Sequence, residues 1–65
     1  MEIIKLYQTV KLITDKYEDN GLKKGTIGTI LEIYNEETFE IEWYDLLGNV
    51  IYMCAFNIND FEVIN

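Results

Sequence analysis

Turn signals break this chain up before any helical period can build. Asn20-Gly21, Gly25, Asn35-Glu36-Glu37 and Gly48-Asn49 divide it into short segments. No segment keeps the apolar i, i+3, i+4, i+7 spacing that a substantial helix needs. Strand chemistry fills the segments instead: ten Ile, three Val, five Thr, five Tyr, three Phe and one Trp among 65 residues. These types suit a pleated, half-buried surface. The length allows one domain, residues 1–65, with a small core, since such a chain buries only about 60% of its unfolded surface.

Five strands are expected. The first covers Tyr7–Ile13, with Val10 and Leu12 inward, and a long polar loop runs from Thr14 to Lys24. The second covers Thr26–Tyr34 with apolar residues on both parities, the pattern of a strand bent across two small sheets, and Gly28 supplies the bend. The third, Phe39–Asp45, alternates most cleanly: Phe39, Ile41 and Trp43 face the core, and Glu40, Glu42 and Tyr44 face out. It forms a hairpin with the second strand around Asn35-Glu36-Glu37. The fourth covers Val50–Phe56, Asn57-Ile58-Asn59-Asp60 makes a single self-capped 3₁₀ turn, and Phe61–Ile64 closes the chain. That order predicts an all-β fold, a small five-stranded SH3-like barrel with a long loop after strand 1 and a 3₁₀ turn before the last strand. The rival, a five-stranded oligonucleotide-binding barrel, needs a longer chain and a helix after its third strand.

The run Gly21-Leu22-Lys23-Lys24-Gly25-Thr26-Ile27-Gly28-Thr29-Ile30-Leu31-Glu32-Ile33-Tyr34, followed by Phe39-Glu40-Ile41-Glu42-Trp43, Gly48, Val50–Phe56 and Asn59-Asp60-Phe61, carries a resemblance. It resembles a small bacterial family of uncharacterised SH3-like domains, over about residues 6–64. Its glycine-rich part is also similar to the KOW segment of ribosomal and transcription proteins. Leu46-Leu47 replaces the acidic turn residues of that family, and Asn57 replaces a proline; both departures concern the shape of turns. The resemblance implies an SH3-like domain that accompanies toxin-like proteins.

Composition excludes much chemistry. The chain has no Arg, His, Pro or Ser, so serine nucleophiles, histidine acid-base or metal chemistry and arginine phosphate clamps are excluded. Glu40 and Glu42, about 7 Å apart on one strand face, read as solvated acids in a fold too small to offer a deep pocket. Cys54 reads as a packed, inert thiol without a basic neighbour. Asp15, Glu18, Asp19 and Asn20 crowd one loop, but their spacing is not that of an EF-hand, and they read as a solvated polar loop. No enzyme, cofactor or metal is expected. A single cysteine favours a reducing cytoplasm, and Leu46–Ile58 is too short and polar to span a bilayer.

The charge is uneven as well as large. Of 12 Asp+Glu and 5 Lys, net −7, all five lysines lie within residues 1–24, which net +1, so residues 25–65 net −8. Direct nucleic-acid binding is disfavoured by that balance, because phosphate contacts need clustered basic residues. A basic protein partner fits it. The expected docking surface comprises Glu32, Tyr34, Glu36, Glu37, Glu40, Glu42, Tyr44 and Asp45, with Tyr52 a further aromatic candidate. A small acidic domain without catalytic equipment suits an immunity protein or antitoxin that occludes the active site of a basic toxin, such as a nuclease. A generic SH3-like adaptor is the alternative, and a KOW-type RNA-associated domain the third. The chain itself is expected to be a monomer or weak homodimer.

Overall fold

The structure, a computed structural model, describes residues 3–64. Five strands form: β1 (Thr9–Leu12), β2 (Ile27–Ile33), β3 (Thr38–Tyr44), β4 (Val50–Asn57) and β5 (Phe61–Val63). Two 3₁₀ turns, Glu18–Asn20 and Ile58–Asp60, complete it. All neighbours are antiparallel, in the order β4-β3-β2-β1-β5. With the long loop after β1 and the 3₁₀ turn before β5, this is the small SH3-like barrel anticipated from the pattern. It is one curled sheet rather than two, and its end strands β4 and β5 are not hydrogen-bonded to each other.

Parity decides which side chains reach the core. Val10 and Leu12 of β1 and Phe39, Ile41 and Trp43 of β3 are buried, each separated by one outward residue. β1 begins two residues later than expected because Tyr7 has φ 68, a left-handed backbone that an extended strand cannot contain. Aromatic rings close the core edge to face. Trp43 meets Phe56 at 5.4 Å between centroids, Tyr17 meets Phe56 at 4.9 Å, and Phe39 meets Phe61 at 5.5 Å.

β2 corrects one expectation. Its irregularity is a bulge at Leu31: Ile30 pairs with Ile41 and Glu32 with Glu40, leaving Leu31 without a partner on β3. The bulge puts apolar residues on both parities, so the bend is not at Gly28. Gly28 has an ordinary backbone and serves close approach instead. A Cβ there would lie 2.7 Å from both the Glu42 carbonyl oxygen and Trp43 Cε3.

Candidate functional site

The outward face of the β2–β3 hairpin follows from this register. Glu32 stands directly opposite Glu40, and Thr29 opposite Glu42. Like charges in direct register cost roughly 0.2–1 kcal/mol per pair. No lysine lies within ion-pair distance of Glu32, Glu40 or Glu42 among the described residues; the lysine pairs are Lys11–Glu62 and Lys16–Asp60.

Two tyrosines hold the acids in place. The Tyr34 hydroxyl donates to Glu40 Oε1 at 2.9 Å. That bond raises the phenol above its ordinary value, with partial burial and the charges of Glu40 and Glu32 adding to it. Tyr44 Oη lies 2.8 Å from both Thr29 Oγ1 and Glu42 Oε1. A phenol has one proton, so it goes to the carboxylate and the threonine hydroxyl donates in return. Burial raises the Tyr44 phenol most, and the bond to Glu42 adds to the effect against the opposing bond with Thr29. The face therefore presents two fixed carboxylates, Glu40 and Glu42, each held by a tyrosine hydroxyl, with Glu32 exposed beside Glu40.

The other expected site residues are placed differently. Glu36 and Glu37 are exposed at the hairpin tip, where with Asn35, Thr38 and Asn57 they line a shallow depression. The Asp45 carboxylate is engaged by the β3–β4 turn. It accepts from the Leu47 and Asn49 N–H groups, both at 2.9 Å, and from the Asn49 amide at 3.2 Å. The Asn49 N–H does most to lower its pKa. Asp45 is thus a turn residue at the far end of the strand from the tip.

Sequence reasoning missed a latch on the other side of the barrel. Asp60 is only 3% exposed. Its carboxylate accepts from the Tyr17 hydroxyl at 2.7 Å, from the Asn57 N–H at 3.2 Å and from Lys16 Nζ at 2.9 Å. Burial alone would raise its pKa, but the bonds from Lys16, Tyr17 and the Asn57 N–H outweigh that and lower it. The loop between β1 and β2 is thereby fastened to the 3₁₀ turn that Asn57 caps, and Leu22 from the same loop is fully buried. The signal available in sequence was slight: Tyr17 and Leu22 are the only large apolar residues in that polar stretch.

Cys54 corrects a second expectation. It is exposed, not packed. It lies on β4, which pairs with a strand on one side only, so an apolar run that reads as buried has only half its covering. Among the described residues no three His, Cys, Asp or Glu side chains gather as a metal site, and no helix is long and apolar enough to cross a membrane.

The fold and this face define a small all-β domain with an acidic outer surface. Residues 6–63 match the family described as a domain of unknown function (DUF4926), and the chain belongs to that family. Neither a curated protein nor a solved structure gives a significant match.

Proposed function

We propose that the chain is a non-catalytic protein-binding domain whose β2–β3 face docks a basic protein. In its sharpest form the proposal is an immunity protein or antitoxin that blocks a toxin, with carboxylates standing where the phosphates of a nuclease substrate would lie. The observation that carries it is the row Glu32, Glu40 and Glu42: Glu32 stands opposite Glu40 across the strands, Tyr34 and Tyr44 brace Glu40 and Glu42, and no lysine pairs with any of the three among the described residues. Such a row opposes folding slightly, whereas an external cation would find acceptors already oriented. Long-range attraction would speed the encounter, and desolvated contacts with Tyr34 and Tyr44 would slow dissociation.

The test begins with the neighbouring gene. Its product should be basic, toxic when expressed alone and tolerated when co-expressed with this chain. The Glu40→Lys, Glu42→Lys double variant should keep its far-UV spectrum and lose protection, with the association rate falling at least tenfold. Protection by the double variant equal to that of the natural chain would reject this face. Capture of a housekeeping assembly, with no toxin rescued, would favour an adaptor.

A further inference from the structure

The sheet has two open ends, and they are built differently. β5 is three residues long, with Glu62 at its centre in an ion pair with Lys11 at 3.5 Å. Shortness and an edge charge keep a strand from recruiting another chain. β4 has neither device. It is eight residues long, and no charged residue or proline lies between Leu46 and Asn59. Val50, Ile51 and Met53 are 53%, 43% and 55% exposed, and Cys54 is exposed beside them.

The backbone groups of this edge have a definite phase. The Ile58 N–H turns toward β3 and donates to the Glu37 carbonyl at 2.8 Å, whereas the Asn57 N–H turns away to Asp60 at 3.2 Å. Ladder directions alternate along a strand, so Met53 and Ala55 carry their N–H and C=O groups to the open edge. A bulge at Ile51 interrupts pairing, since Tyr52 opposes Trp43 but Val50 opposes Tyr44. The regular stretch is therefore Tyr52–Phe56, and Cys54 is its midpoint.

We propose that β4 pairs antiparallel with β4 of a second copy of this chain, about a two-fold axis at Cys54. Met53 and Ala55 of one copy then exchange hydrogen bonds with Ala55 and Met53 of the other. The two Cys54 residues face each other as a non-hydrogen-bonded pair, with Cα atoms about 4.5 Å apart. An isologous contact of this kind closes on itself and leaves no β4 edge open.

Charge identifies the occupant. A second copy also nets −7 and is repelled by most of the surface. Across a joined β4–β4 edge, the carboxylate rows of the two β3 strands stand three strand spacings apart, about 14 Å. That exceeds the Debye length of about 8 Å at physiological ionic strength. The uncharged strand is thus a spacer that lets two acidic molecules meet. A basic partner has the opposite preference, since its attraction lies at the β2–β3 face.

The experiment is sedimentation of the full chain over a range of concentrations, beside mild oxidation with diamide. A mass rising to twice that of the chain is expected, together with a disulfide-linked dimer through its only cysteine, formed without loss of the far-UV spectrum. The Cα separation lies within the range of about 4.4–6.8 Å that disulfides require. Met53→Lys puts two lysines into the interface and should weaken association about a hundredfold, roughly tenfold for each. Ala55→Lys should act in the same way, so the result does not rest on one variant. A monomeric mass at every concentration would overturn the proposal, including the case in which the edge instead takes up a strand of another protein. A dimer that both lysine variants leave intact would overturn it too. The self-association of the natural chain leaves open whether Glu40 and Glu42 dock a basic protein; Met53 and Ala55 stand opposite Glu42 and Glu40, so docking is judged on the natural chain and not on the lysine variants.

Discussion

Replacing Asp60 by alanine should be among the most damaging single changes outside the hydrophobic core. Three partners lose their acceptor: the Tyr17 hydroxyl, the Asn57 N–H and Lys16 Nζ. The Lys16 side chain is 57% exposed, so water takes over its solvation and its loss contributes little. The other two groups are partly buried, and each left without an acceptor costs about 1–1.5 kcal/mol. The sum is about 2–3 kcal/mol. A domain of this size has roughly 3–10 kcal/mol of stability in all, so the variant should lose about a fifth of it or more. In thermal unfolding that is a fall in Tm of roughly 10–20 °C, at about 4–8 °C per kcal/mol. The pH dependence follows from the lowered pKa of Asp60. The folded-state value lies below the unfolded one, so the stabilisation is present above about pH 4 and is lost as pH falls through the folded value. Urea unfolding between pH 7 and pH 2, followed by Trp43 fluorescence, should give the alanine variant a shallower acid limb than the natural chain. At the high-pH end Tyr17, raised chiefly by burial and then by its bond to Asp60, works in the other sense: its contribution is full below about pH 10 and is lost as pH rises further. A fall in Tm of under about 3 °C, or an unchanged acid limb, would refute the latch.

Two further predictions separate packing from charge. Gly28→Ala should cost about 2–3 kcal/mol in denaturant unfolding, because the new Cβ meets the Glu42 carbonyl oxygen, a backbone atom that cannot swing aside. A loss under about 0.5 kcal/mol would mean that β2 and β3 can part there at no cost. Glu32→Lys should raise stability by roughly 0.2–1 kcal/mol by turning a like-charge pair with Glu40 into an attractive one, and should weaken capture of a basic partner. A variant neither more stable nor weaker in binding would remove the cross-strand repulsion from the argument.

The elements that alternate were legible in the sequence. Phe39, Ile41 and Trp43 share a parity that only a half-buried strand explains, and the structure buries all three. The self-capped turn at Asn57–Asp60 was legible for the same local reason, because its donors and acceptors lie within three residues of one another. Leu31 shows where local reading fails. Apolar residues on both parities mark an irregular strand, but a bulge and a glycine bend produce the same pattern, and only the partner strand distinguishes them. Tyr17 and Asp60 are 43 positions apart, and nothing local to either residue names the other.

β4 exposes a more general gap between composition and position. An uninterrupted apolar run is read as a strand covered on both sides, because that is the cheapest way to remove it from water. In a single curled sheet nothing covers the outer face, where Val50 and Met53 stand opposite Tyr44 and Glu42, and Cys54, on the parity of buried Ile41, is left in solvent at the open edge. The same topology explains why net charge alone was a poor guide to surface. Residues 25–65 net −8, yet Leu46–Asn59 in the middle of them has no charge. Five of the eight carboxylates of this half, Glu32, Glu36, Glu37, Glu40 and Glu42, gather on β2, β3 and the hairpin tip, beside the apolar edge strand. A uniform −8 would repel a second copy everywhere and attract a basic protein from any direction. The segregated one attracts a basic protein at the hairpin face and repels a second copy there, so the uncharged edge is the direction left for self-association.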